Sequence, residues 1–148
     1  MRVALGTDER TPLLDDVARF LGERGHQVVV VADGDPWPAA GAKVGRAVAA
    51  GAADVGVVSC TTGTGVSIAA NKVPGVRAAL CTDAETARGA RRWNDANVLA
   101  FGLRLTSSSV AREMLDAFLE TPFDRAEGEL VAAVEPPADA EPPADAER

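Results

Sequence analysis

Five short apolar runs punctuate the chain: Val3–Gly6, Val28–Ala32, Val55–Ser59, Ala78–Cys81 and Val98–Phe101. Their hydrophobic positions run on without alternation, which predicts strands buried on both faces, as in a parallel sheet. The segments between them carry helical spacing. Pro12–Glu23 places Leu13, Leu14, Val17 and Leu21 on one face, with Thr11 in the N-cap position, Pro12 in the first turn and Gly25 as a stop. Further helices are expected near Ala39–Ala50, Thr64–Asn71, Ala84–Arg91 and Ser107–Leu119, the last with Val110, Met114 and Phe118 at every fourth residue. Strand alternating with helix predicts right-handed βαβ units: a three-layer, doubly wound (Rossmann-like) α/β fold with a five-stranded parallel sheet and helices on both faces. Ligands of such sheets sit beyond the carboxyl ends of the strands. Candidate chemistry is therefore sought at Thr7-Asp8-Glu9, Asp33-Gly34-Asp35, Cys60–Gly65, Thr82-Asp83 and Gly102.

Composition refines this picture. At 148 residues the chain is one domain, long enough to bury roughly 70% of its unfolded surface. Hydrophobic residues make up 47% and aromatics 4%, so the core is built of Val, Ala and Leu. The segment 135–148 repeats the hexapeptide EPPADA and offers no large apolar side chain; it is expected to be a disordered acidic tail on a domain spanning residues 1–134. That tail carries −4 of the net −7, leaving −3 for the domain. No basic stripe interleaved with aromatics points to nucleic acid, and no apolar run is long enough to span a membrane. With two cysteines at no metal or disulfide spacing and no leader pattern, the expectation is a cytoplasmic, soluble protein.

The stretch from Val57 to Lys72, VVSCTTGTGVSIAANK, is the chemical centre of the sequence. The strand delivers Cys60 to the rim. Gly63 and Gly65 let the backbone turn and approach a ligand, and the following helix offers unpaired N–H groups and the positive end of its dipole. A thiol in such a place has its thiolate favoured, and the same amides can hold a developing oxyanion. Other readings fit less well. Ile68 replaces the third glycine of a dinucleotide fingerprint, and no Gly-Lys-Ser/Thr follows for a P-loop. A cysteine hydrolase would want a histidine in reach; the only one, His26, sits at a helix-to-strand junction away from the rim. Cys81, by contrast, reads as core.

The block CTTGTGVSIAANKVPGVRAALCTDAETAR, the later NDANVLAFGLR and the opening Gly6-Thr7-Asp8 resemble the family of type B ribose-5-phosphate isomerases and galactose-6-phosphate isomerases. The resemblance implies aldose–ketose isomerisation of a pentose or hexose through a cis-enediolate, without metal or cofactor. It implies Cys60 as the base between C1 and C2, Thr62 as an assisting hydroxyl, and backbone amides of Gly63, Thr64 and Gly65 around the enediolate. Asp8 and Asn94 match positions that touch the sugar. A homodimer is implied, with the site built between subunits.

The chain also departs from the family pattern. Glu9 stands where a histidine follows the first-strand Asp, and Trp93 stands where the family carries the histidine that opens the sugar ring. Glu127 and Val131 replace the two arginines of the phosphate clamp, with Arg125 the nearby cation. Thr61 replaces a usual glycine and Thr64 a usual apolar residue, while Trp37 occupies the place of a rim aromatic. Glu9 and Glu127 close to a phosphate dianion would repel it. Two outcomes are consistent with these changes: an isomerase whose substrate differs from the usual sugar phosphate, with Trp93 against the sugar, or a relative that has lost catalysis and binds a sugar or a protein partner.

Overall fold

The computed structural model describes residues 1–136; the tail expected to be disordered lies, from residue 137 onward, outside the described residues. The elements run in strict alternation: β1 (Arg2–Thr7), α1 (Pro12–Glu23), β2 (Gln27–Asp33), α2 (Trp37–Ala49), β3 (Val55–Cys60), α3 (Thr64–Asn71), β4 (Ala78–Leu80), α4 (Ala84–Asn94), β5 (Val98–Gly102) and α5 (Ser108–Glu120). A 3-10 turn (Arg125–Glu127) and a short α6 (Gly128–Ala132) close the described chain. The sheet is parallel throughout in the order β2-β1-β3-β5-β4, so the expected doubly wound α/β fold is the one observed.

Alternation of side chains along the central strands feeds two unequal cores. Val3 and Leu5 of β1, Val57 of β3, and Leu99 and Phe101 of β5 face α1, α4 and α5, where Leu21, Met114, Leu115 and Phe118 are fully buried. Each such side chain stabilises the fold by about 1.5–3 kcal/mol through area removed from water. The other face is built of small residues, Ala4, Val58, Cys60 and Ala100, against Ala40, Val44, Val66 and Ala70 of α2 and α3. There the helices come close. A Cβ on Gly41 would lie 2.6 Å from the Val66 carbonyl oxygen, and one on Gly6 would lie 2.6 Å from Val44 Cγ2.

Burial on both faces holds for β1, β3 and β5, but not for the two outer strands. In β2, Val29 and Val30 remain 38% and 57% exposed, because the helices pack over the middle of the sheet and leave its margins bare. At the opposite margin Asn71 covers the free backbone of β4. Its side-chain amide donates to the Ala78 carbonyl (2.9 Å), and its carbonyl accepts the Ala78 N–H (2.8 Å). Helix starts obey the expected chemistry at Ser107 and Asp83, whose side chains accept backbone N–H groups of Val110 and Thr86. Thr11 occupies its N-cap position, yet its hydroxyl makes no capping bond.

Candidate active site

The rim at the carboxyl ends of β1 and β3 is held by a compact polar knot. Thr7 stands opposite Ser59 in the parallel register. The buried Ser59 hydroxyl donates to Thr7 Oγ1 (3.2 Å), which also accepts the Glu9 N–H (3.2 Å) and donates to the Glu9 carbonyl (2.8 Å). The Asp8 N–H donates to the Ser59 carbonyl at 3.3 Å. Asp8 and Glu9 are thereby fixed beside the strand that ends in Cys60. Burial raises the Asp8 carboxyl above the ordinary carboxylate range, and the charge of Glu9 adds to the shift. Its Oδ1 is sealed from solvent and has no hydrogen-bond partner among the described residues.

The Cys60 loop is strapped from below by the chain leaving β5: the Leu103 N–H donates to the Cys60 carbonyl (2.9 Å) and the Arg104 N–H to the Thr61 carbonyl (3.0 Å). Gly63 adopts φ +78°, and its N–H donates to Cys60 Sγ at 3.2 Å. That left-handed turn aims the amide back at the sulfur and starts α3. The first amides of α3, at Thr64, Gly65 and Val66, have no acceptor within the helix and point toward the rim. The hydroxyls of Thr62 and Thr64 pair at 2.8 Å. Trp37, the first residue of α2, lies against Gly65, where an added Cβ would come within 2.9 Å of its ring. Cys60 and its donors thus come together at the rim, with the Trp37 ring beside Gly65.

The remaining expected residues lie elsewhere in the chain. Trp93 and Asn94 end α4, which runs back against the strand direction, so they reach the amino-terminal end of β5. Val98 pairs with Gly56, four residues before Cys60, a separation of roughly 13 Å along the strand. There Trp93, Asn94 and Glu127 line an open cleft of about 430 Å³ with Arg77, Leu130 and Val134. Arg125 is exposed on the 3-10 turn. Within one chain, then, Asp8, Glu9, Cys60, Thr62, Gly63, Thr64 and Gly65 come together, while Trp93, Asn94 and Arg125 do not join them.

The cleft has an anchor that periodicity and motif did not reveal. Arg77 donates through Nε to the Asp95 carbonyl (2.8 Å), through Nη2 to Asp95 Oδ2 (3.0 Å) and through Nη1 to Glu135 Oε1 (2.7 Å). Asp95 sits at φ +46°, ending α4 in a left-handed turn that the guanidinium holds. Contacts of this kind span distant positions and leave no local signal. His26 is remote from all of this, its Nδ1 3.3 Å from the Met1 amine at the other end of the sheet.

Known proteins resemble this chain along most of its length. Residues 3–134 match the family model described as Ribose/Galactose Isomerase. Galactose-6-phosphate isomerase subunit LacB of Clostridium acetobutylicum is 38% identical over 128 residues, covering 83% of this chain and 74% of that one. Ribose-5-phosphate isomerase B of Escherichia coli is 37% identical over 131 residues, covering 83% and 86%. The solved structure of Clostridium thermocellum ribose-5-phosphate isomerase B superposes with a TM-score of 0.86 at 38% identity, over 90% of this chain and 95% of the other.

Proposed function

The chain belongs to the ribose/galactose isomerase family, and we propose that it is an aldose–ketose isomerase working through a cis-enediolate with Cys60 as the base. The observation that carries this is the Gly63 N–H at 3.2 Å from Cys60 Sγ, which gives the thiolate a donor and sets it beside the free amides of α3. A base next to a group of oriented donors is what proton abstraction alpha to a carbonyl requires. The Thr62 and Thr64 hydroxyls, paired with each other in the free protein, are able to re-pair with the two substrate oxygens between which a proton must move. Asp8, with an unpartnered buried oxygen, is a ready acceptor for a sugar hydroxyl.

The second half of the site comes from another copy. Trp93, Leu130 and Val134 are more than half exposed around the cleft, and Ile68 and Leu80 are exposed on α3 and beside it. These apolar side chains fit a homodimer in which the α4 end of one subunit meets the Cys60 rim of its partner. Acidic Glu9 and Glu127, with no arginine pair, favour a substrate other than the ribose 5-phosphate and galactose 6-phosphate for which the relatives are named.

The deciding experiment is deuterium incorporation from D₂O at the carbon next to the carbonyl, followed by NMR over a panel of sugars and sugar phosphates. Incorporation that disappears in Cys60→Ala is expected. If no sugar on the panel exchanges, the chain is a binding relative without catalysis.

A further inference from the structure

Trp93 and Asn94 are the last two residues of α4, and they can serve a site in another copy only if the turn behind them is fixed. That turn is held under tension. Asp95 has φ +46°, the one positive φ outside glycine among the described residues. A non-glycine residue keeps this conformation where its surroundings over-determine it. Here Arg77, the residue before β4, grips it twice, through Nε on the Asp95 carbonyl (2.8 Å) and through Nη2 on Asp95 Oδ2 (3.0 Å). The Arg77 N–H also donates to Asn97 Oδ1 (2.8 Å), and the Asn97 amide donates to the Gly75 carbonyl (2.9 Å). Arg91, one turn back in α4, donates to the Ala96 carbonyl. The third arm of Arg77, Nη1, reaches Glu135 Oε1 beyond the end of α6 at 2.7 Å.

One side chain thus joins the start of β4, the end of α4 and the segment after α6. Arg77 is also the single cation lining the 430 Å³ cleft, so binding an anionic substrate is the rival role. The geometry speaks against it. The guanidinium already holds two carboxylates, its side chain is 20% exposed, and Glu127 adds negative charge to the same cleft. A cation so neutralised has little attraction left for a third anion. What its planar fork supplies is fixed direction, which a lysine head would not give.

Resting on the isomerase reading and its shared site, we propose that Arg77 is a positioning residue for that site. It touches no substrate; it sets the end of α4 so that Trp93 and Asn94 meet the Cys60 rim of the other copy. Through Glu135 the same guanidinium ties the segment after α6 to this turn. Without Arg77, Asp95 is free to leave the left-handed region and swing Asn94 away, and a displacement of about 1 Å is enough to lower turnover about a hundredfold.

Complementation between variants of the full chain tests this, read as deuterium incorporation from D₂O with ribose 5-phosphate, ribose, galactose 6-phosphate and galactose as probes. Arg77→Ala alone is expected to lose about a hundredfold. Mixed with Cys60→Ala it should regain about a quarter of wild-type exchange, since each hybrid dimer then holds one site with both Cys60 and the α4 end intact. Mixed with Asn94→Ala it should stay silent, because both lesions fall on the same half of the site. Should Arg77→Ala not fold, Asp95→Gly carries the test: glycine takes the left-handed turn freely but offers the fork no carboxylate. A smaller loss with the same pairing pattern is expected. Recovery with Asn94→Ala alone would place Arg77 in support of its own subunit's Cys60 loop, and recovery of a folded variant with both partners or with neither would make it merely structural; each overturns the inference and leaves the isomerase reading standing. If Cys60→Ala and Asn94→Ala do not complement each other while the wild type exchanges, the shared site falls and the inference with it. Absence of Cys60-dependent wild-type exchange with all four probes overturns the isomerase reading itself.

Discussion

Gly63 is the residue on which the candidate site turns, and a paired substitution measures how much. Replacing it with alanine has two costs. At φ +78° an L-residue is in the left-handed region, a penalty of about 1–2 kcal/mol. Its Cβ would also lie 2.6 Å from both Leu80 Cδ1 and the Phe101 carbonyl carbon and 2.8 Å from the Gly102 nitrogen. Leu80 can rotate away, whereas the β5 backbone cannot, so overpacking adds about 1–3 kcal/mol. Gly51 supplies the reference. It has φ +71°, lies just past α2, and would place a Cβ in open space. Urea unfolding of the two variants should give a loss of about 1–2 kcal/mol for Gly51→Ala and about 2–5 kcal/mol for Gly63→Ala, with unchanged m values. The same shift moves the amide off Cys60 Sγ, so deuterium exchange should fall about a hundredfold in Gly63→Ala and stay near wild type in Gly51→Ala. Equal stability losses would refute the steric account of the loop. Full exchange activity in a destabilised Gly63→Ala would refute its catalytic one.

Two further outcomes are expected. Burial, and after it the charge of Asp83, pushes the Cys81 thiol up to about 12, so at pH 8 only about one molecule in ten thousand carries the thiolate. Iodoacetamide should therefore spare Cys81 in the folded chain and label it in urea. Because the unfolded thiol ionises near about 8.5 while the folded one keeps its proton, stability should fall as pH rises from about 9 to about 12, by up to about 1.4 kcal/mol per unit, and less steeply in Cys81→Ala. Matching pH profiles for the two proteins would contradict this. The proposed shared site is tested by mixing Cys60→Ala with Asn94→Ala, each expected to be inactive alone: hybrid dimers should regain about a quarter of wild-type exchange on statistical mixing. A mixture as silent as its components would mean that no site is shared between subunits.

Much of this molecule was legible from local pattern. All five strands and the five longer helices fall where apolar periodicity puts them, α1 and α3 with the expected bounds and the rest within a few residues. The Cys60 loop was legible because its chemistry is contiguous: candidate base, hydroxyl and turn glycines succeed one another in sequence. The short α6 escaped because Gly128–Ala132 buries nothing and its start has no capping side chain. The exposure of β2 escaped for a different reason, since four valines in a row read the same at a sheet's margin as at its centre. The Thr7–Ser59 knot and the grip of Asn71 on β4 depend on register and on a turn between distant positions, which no window of residues encodes.

The distribution of satisfied and unsatisfied polar groups supports the proposed site. Many polar side chains are paired: Ser59 and Thr7 bond each other, Asn71 covers a strand edge, and Arg77 closes a turn with two carboxylates. Three buried side-chain atoms have no partner among the described residues, namely Asp8 Oδ1, Thr11 Oγ1 and Arg112 Nε. The arginine is already engaged through Nη2 with Asp16, but the other two lie together in the segment joining β1 to α1. One strand over, the first amides of α3 have no helical acceptor, and Gly63 is held in a left-handed turn. Folding would favour neither arrangement, since a buried orphan polar atom costs about 1–3 kcal/mol. Their concentration within one strand's width at the Cys60 rim supports the proposed site there, where a ligand rich in hydroxyl and carbonyl oxygens would supply the missing partners.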